Sequence, residues 1–322
     1  MRASESAAYQ GRGWKPRKES LAAELAADRG VWSPWRVDSE HRPLKAVLLH
    51  RPGAELRSAR APNAVQHLAR IEPAALGREV AALAAAYRRL GVEVHWIPRA
   101  FAGGPWPPKF NLVFAADLFF ATREGAMVSR MASEVRAGEE KHAARALAEL
   151  AIPINRTISG KGLFEGADAL WLDPKTVLCG VGNRTNAEGF AQLRSALKGQ
   201  GVETIPARLP RGVQHLMGLV RLVDARLALV RAELAPKALL RLLGRRRIAA
   251  VPVPEIGETT EGQGMNVVVV APRRIVMPKD CPVLKRAYAA AGIAVAAEVA
   301  IPQLRRGAGG IGCATGVLAR RA

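Results

Sequence analysis

The sequence predicts an α/β fold assembled from five copies of one ββαβ unit arranged in a ring. Three observations predict it. A similar pattern returns about every 40 to 50 residues. Pairs of apolar, strand-like stretches are joined by turn-forming tetrapeptides, and each pair leads to an amphipathic helix and then a short strand. One such unit cannot bury both its sheet face and its helix stripe, whereas five in a ring with the helices outside can.

The elements follow in order. Residues 1–40 lie outside the repeat and are expected to form an N-terminal arm before a single domain over 41–322. Within them GRGWKPRKES is polar and basic, ESLAAELAAD suits a short helix, and WSPWRVD leads into the first strand. The first unit runs from LKAVLLHRPG through REVAALAAAYRRL to GVEVHWIP. The second pairs DLFFATREGAMVSRMAS with EEKHAARALAEL and AIPINR, and the third joins ALWLDPKTVLCGVG to NAEGFAQLRSALKGQ and GVETIPAR. LVRLVDARLALVRA, PKALLRLL and RRIAAVPVP make the fourth. NVVVVAPRRIVMP, PVLKRAYAAA and GIAVAAEVAIP make the fifth. The turns TREG, DPKT, VDAR and APRR supply the Pro, Gly and Asp expected between paired strands. Apolar residues at i, i+3 and i+4, such as Leu193, Ala196 and Leu197, mark the helices. A doubly wound sheet is the competing architecture, but the repeated strand pairs speak against it. No GxGxxG or GxxxxGK[ST] motif supplies a nucleotide site.

Composition narrows the function. With 49% apolar residues the chain can fill a sizeable core. No run of about 18 apolar residues suggests a membrane span, and the amino terminus lacks an apolar signal core, so a cytoplasmic location is expected. Cys179, Cys281 and Cys313 form no CxxC and no disulfide framework. The net charge of +20 raises the alternative of a basic nucleic-acid-binding protein. Against it, the arginines are spread along the chain, and RLLGRRR (241–247) reads as a helix end where cations are favoured. Aromatics are only 5%, too few for an obvious base-stacking platform.

Function is expected where units join. FNLVFAAD ends at Asp117, FEGAD contributes Glu165 and Asp168, GVQHLMG contributes His215, and GGIGCATG contributes Cys313. Each alone has an ordinary structural explanation. Asp168 is read first as structural, bonding backbone amides across a turn. Their recurrence at equivalent joins sets a thiol, an imidazole and carboxylates around one centre. That set holds the residue types used in nucleophilic and general acid/base chemistry.

The stretches LKAVLLHRPG, NLVFAADLFF, FEGADALWL, GVGNRTNAEG, HLMG and GGIGCATGVL occur in family order over roughly residues 40 to 322. Through them the chain resembles the pentein, or guanidino-group-modifying, superfamily. That group includes dimethylarginine dimethylaminohydrolases, arginine deiminases, arginine dihydrolases and amidinotransferases. The resemblance implies a five-bladed α/β propeller with pseudo-fivefold symmetry and a single pentein catalytic domain. It implies a cysteine-dependent hydrolase of arginine or Nω-methylated arginine that works through a covalent S-amidino intermediate. Arginine dihydrolase, deiminase and amidinotransferase activities are the alternatives. Cys313 aligns with the nucleophile, His215 with the general acid/base, and Glu165 and Asp117 with carboxylates that grip the guanidinium. Arg184 and Arg136 align with groups that bind the substrate's α-carboxylate. The expected partner is a small guanidino compound, with no cofactor, metal or membrane required; a homo-oligomer is compatible. Several positions depart from relatives: Met217 stands where arginine deiminases carry an aspartate, and Ala116, Gly312 and Gln303 replace an arginine, a histidine and a glutamate. The small residues around Cys313 are expected to let a flat guanidinium approach the sulfur.

Overall fold

A computed structural model describes residues 3–27, 30–59, 61–98 and 108–321. The chain divides into two compact units, residues 1–34 and 35–322. In the first, helix α1 (Leu21–Ala26) starts at Ser20, whose hydroxyl accepts the Ala23 amide at 3.2 Å. Asp28, at the end of the expected helix, lies outside the described residues. Residues 35–40, read from sequence as part of the arm, belong to the second unit. There the Val37 amide donates to the Thr122 carbonyl, and the Glu40 carboxylate accepts the Trp171 amide.

The second unit holds five three-stranded sheets of one design. The first contains β1 (Leu44–Leu49) and β2 (Glu93–Trp96), linked through α2 (Pro73–Arg89). The second contains β3 (Phe119–Thr122), β4 (Gly125–Val128) and β5 (Ile154–Thr157), with α3 (Glu140–Glu149). β6 (Ala169–Asp173), β7 (Thr176–Val181) and β8 (Glu203–Arg208) form the third with α4 (Ala187–Gly199). The fourth has β9 (Val220–Asp224), β10 (Leu227–Val230) and β11 (Ala249–Pro252) with α5 (Lys237–Arg245). A short helix α6 (Gly257–Thr260) precedes the fifth, which holds β12 (Val268–Ala271), β13 (Arg274–Pro278) and β14 (Ala294–Val299) with α7 (Pro282–Ala290). Helix α8 (Pro302–Arg306) then leads to β15 (Gly316–Arg320).

In each complete repeat the leading strand pairs antiparallel with the second, and the third returns parallel to the second. The helix makes that parallel return possible by spanning the crossover. The first unit differs from its sequence reading. HRPG does not turn into a second strand of the same repeat; instead β15 supplies the antiparallel partner, with Leu44 opposite Arg320 and Leu48 opposite Gly316. A strand pairing over that separation leaves no local signature, because its turn does not exist.

Side-chain packing follows the predicted periodicity. Leu193 and Leu197 of α4 are fully buried, and Asn186 caps the helix by accepting the Gly189 amide at 2.8 Å. In α2, Val80, Leu83 and Tyr87 face the core behind the first sheet. Burial of each such apolar side chain contributes about 1.5–3 kcal/mol. Arg246, just past α5, donates to Asp173 and Glu203, so part of the basic RLLGRRR cluster is spent within the chain. No helix among the described residues is long and apolar enough to cross a membrane. One cavity, of about 80 Å³, is lined by the leading strands of all five sheets, from Phe119 and Ala169 to Arg221, Val268 and Val317.

Candidate active site

Every join into a leading strand makes a tight turn. Single-turn 3-10 helices at Ala115–Asp117, Gly166–Asp168 and Leu216–Gly218 precede β3, β6 and β9. These turns pack beside one another. Gly166 permits this, since a Cβ there would lie 2.1 Å from the Phe119 carbonyl oxygen. The Ala116 amide donates to the Cys313 carbonyl, which ties the last join to the first of them. Asp168 is buried and accepts the Leu216 amide at 3.0 Å and the Thr185 hydroxyl at 2.7 Å. It therefore fixes the turn that presents His215, in keeping with its structural reading, and burial raises its pKa to about 7.

Asp117, Arg136, Arg184, His215 and Cys313 all line one pocket. Glu165 is wholly buried directly behind them. His215 Nε2 lies 2.7 Å from Glu165 Oε2 and 3.9 Å from Asp117 Oδ1. Burial alone would lower the histidine pKa, but Asp117, the hydrogen bond to Glu165 and the charge of Asp168 raise it to about 9. Burial would likewise raise the Glu165 pKa. The His215 bond and the charges of Arg136, His215 and Arg184 outweigh burial and hold it well below the carboxylate range. His215 thus stands as an imidazolium able to give a proton.

Arg136 is more committed than its alignment implies. Its Nε donates to Glu139 at 2.8 Å and its Nη1 to Asp117 Oδ2 at 2.6 Å, with Glu165 3.6 Å away. Two atoms in this group are buried without a hydrogen bond: Arg136 Nη2 and Asp117 Oδ1. Arg184 is partly exposed and reaches Glu165 at 3.5 Å. Polar atoms of Asp117, Glu165 and His215 lie within 4.8 Å of one another. The positive charges held against the two carboxylates are the His215 imidazolium and the guanidinium of Arg136.

Cys313 is held by a residue the sequence reading missed. Asn266 Nδ2 donates to Sγ at 2.9 Å, and Asn266 Oδ1 accepts the Cys313 amide at 3.1 Å. Asn266 occupies the join before β12, the one position where no candidate was read. Its signal was a lone amide in GMNVVVV, at the place where the other joins carry their polar groups. Burial and Asp117 push the thiol above its ordinary pKa, while Asn266, a backbone bond at Gly310 and Arg221 pull it down. Met217 Sδ touches Sγ at 3.8 Å.

The glycines before Cys313 serve a different end from the expected one. A Cβ at Gly309 would meet the Phe114 ring at 2.3 Å, one at Gly310 the Asn266 side chain at 2.8 Å, and one at Gly312 Arg221 Nη2 at 2.1 Å. The protein's own side chains fill the space expected for a ligand.

A family model described as arginine deiminase matches residues 105–219. The chain is similar over 172 residues, at 28% identity, to an N(G),N(G)-dimethylarginine dimethylaminohydrolase of Streptomyces coelicolor. That match covers 53% of this chain and 60% of the relative. An uncharacterized protein of Aeropyrum pernix is 31% identical over 102 residues, which is 31% of this chain and 37% of that one. Among solved structures, the dimethylarginine dimethylaminohydrolase of Pseudomonas aeruginosa complexed with citrulline superimposes with a TM-score of 0.68 at 21% identity. It covers 87% of this chain and 100% of its own. The N-terminal domain of a cyanobacterial arginine dihydrolase reaches a TM-score of 0.72 at 18% identity, covering 85% and 98%. The chain thus resembles the pentein superfamily and shares its fold.

An inosamine-phosphate amidinotransferase of Streptomyces griseus shares the pentein fold equally well, with a TM-score of 0.68 at 18% identity over 89% and 97% of the two chains. At such identities the likeness is one of fold. What this chain does rests on its own pocket.

Proposed function

We propose that this chain hydrolyses the guanidino group of arginine or an Nω-methylated arginine, its five sheets serving as the blades of a five-bladed propeller. The cavity bordered by all five leading strands supports the propeller. One observation carries the reaction. The pocket beside Cys313 offers two buried atoms of opposite kind that lack a hydrogen bond, Asp117 Oδ1 and Arg136 Nη2. Buried polar groups are rarely left unpaired, so both call for a ligand. The acceptor suits a guanidinium N–H, and the donor suits an α-carboxylate, with Arg184 beside it as a second cation.

The chemistry then follows. Sγ of Cys313 attacks the guanidinium carbon, and the electron pair of one C–N bond leaves with the amine, which takes a proton from His215. The S-amidino enzyme is attacked by water, whose proton returns to His215. The thiolate departs, the water's second proton is lost to solvent, and a ureido product is left. A cationic substrate offsets the burial that keeps the free thiol neutral. Glu165 keeps His215 protonated for the first step and accepts the ligand's charge only through that partner.

Met217 supports a methylated substrate: a thioether beside Sγ gives an N-methyl group an apolar contact where a carboxylate would not. The likeness to the dihydrolase and the amidinotransferase supports a second reading in which the same intermediate is hydrolysed further or passed to another amine.

Incubation with arginine, monomethylarginine and asymmetric dimethylarginine, read by mass spectrometry, separates these outcomes. Citrulline with dimethylamine is the expected result. Ornithine with ammonia would replace it by the dihydrolase, and turnover only with an added amine by transfer. No turnover of any guanidine, with salt-sensitive binding to random oligonucleotides, would overturn the enzyme reading.

A further inference from the structure

The cavity between the leading strands contains two arginines, and one of them lacks a partner. Arg221 lies on β9 opposite Leu229, and its Nε and Nη2 are buried without a hydrogen bond. It forms no ion pair among the described residues. Arg320, on β15 in the same cavity, gives Nη1 to the carbonyls of Arg42 and Val269. A guanidinium whose buried nitrogens lack hydrogen bonds works against stability, and groups held at such a cost tend to gather at functional sites.

The position of Arg221 shows what it serves. Its Nη2 would be 2.1 Å from a Cβ at Gly312, so the guanidinium fills the side-chain space of the residue bonded to Cys313. On the pocket side, Cys313 has Asp117, which opposes a thiolate, and His215, whose charge is engaged by Glu165. On the cavity side stands Arg221, with Glu40, Tyr87 and Arg320 around it. Tyr87 gives or accepts one bond with Thr315 at 2.7 Å, and Glu40 is bonded to the Trp171 amide. Neither is hydrogen-bonded to Arg221, whose charge is offset in part by Glu40 and acts on the sulfur as well.

We propose that Arg221 is a positioning residue for the nucleophile: it holds positive charge against the Gly312–Cys313 segment from behind and stabilises the sulfur as thiolate. This rests on the reading of Cys313 as the nucleophile. The pull of Arg221 on the thiol opposes burial and Asp117, as a nearby cation should. Gly312 is required for the arrangement, which gives its place before the cysteine a purpose the pocket side does not.

The test is the pH dependence of Cys313 alkylation by iodoacetamide in the full chain, read peptide by peptide by mass spectrometry. Arg221→Met should move the Cys313 curve to higher pH by about one unit and slow alkylation at pH 8 roughly tenfold. Arg221→Lys, which keeps the charge, should recover most of the rate, and the buried Cys179 and Cys281 serve as references. With a turned-over guanidine, Arg221→Met should lower kcat and leave KM nearly unchanged. A folded Arg221→Met protein whose curve superimposes on the parent's overturns the proposal. If that variant fails to fold, Gly312→Ala, which displaces the guanidinium, should give the same upward shift; an unshifted curve overturns the proposal equally. Alkylation needs no turnover, so a shift without guanidine hydrolysis sinks the reaction reading alone, and hydrolysis without a shift sinks this one alone.

Discussion

The two sides of Cys313 are built on opposite principles. In the pocket, cations and carboxylates are interlaced: Arg136 lies among Asp117, Glu139 and Glu165, and His215 lies on Glu165. In the cavity, two arginines face mostly apolar walls with Glu40 as the one carboxylate on its lining. In a chain of net charge +20, acidic groups are gathered on the pocket side of Cys313 and nearly absent from the cavity side. On the proposed reading, local carboxylates rather than the basic exterior grip the guanidinium, over the short range that salt leaves unscreened.

The comparison breaks most sharply at the sulfur. Cys313→Ser should reduce turnover by at least about a thousandfold with an unchanged melting temperature, because a hydroxyl there has no base poised to ionise it. Retained turnover, measured as product by mass spectrometry, would remove the distinction between the two sides.

Glu165→Gln comes next. It leaves His215 without its charged partner inside a buried cluster, so a loss of about 3–5 kcal/mol in stability is expected. Turnover should fall roughly 10²–10⁴-fold. NMR titration of His215 should show its pKa falling from about 9.

The same histidine makes stability depend on pH with a definite sign. Its folded pKa, about 9, lies above the unfolded value of about 6.5. Its contribution is therefore fully present below about pH 6.5 and is lost as pH rises through about 9. Urea midpoints measured across this window should decline in the parent and flatten in His215→Asn.

Asn266→Ala should raise the Cys313 thiol pKa and slow alkylation by about tenfold, since one hydrogen bond to the charged form is lost. The smallest effect belongs to the surface. Arg246→Ala removes bonds to Asp173 and Glu203 near solvent, and thermal melts should register a change of at most about 1 kcal/mol.

Much of this was readable from residue patterns, for physical reasons. Turn tetrapeptides and helix stripes are local, so TREG, DPKT and the Leu193–Leu197 stripe lead directly to β3–β4, β6–β7 and α4. Ionisable residues in apolar joins stand out because burying them needs a reason, which exposed Asp117, Glu165 and His215 to view. Asn266 carries no charge and passed unnoticed among valines. The pairing of β15 with β1 could not be read, since no turn encodes it. The occupants of the glycine-made spaces were also hidden. Phe114, Asn266 and Arg221 come from three other joins or strands, and only the assembled fold brings them to residues 309–312.

The closing strand has a consequence for when the pocket is assembled. Cys313 stands three positions before Gly316, where β15 begins its pairing with β1. Bringing partners as distant as Leu44 and Arg320 together carries a large loop-closure cost and raises contact order. A chain with that seam open would lack the bond from Ala116 to the cysteine carbonyl and the bracket from Asn266. The setting of the sulfur is thereby a readout of topological completion, present only once the last strand has closed on the first.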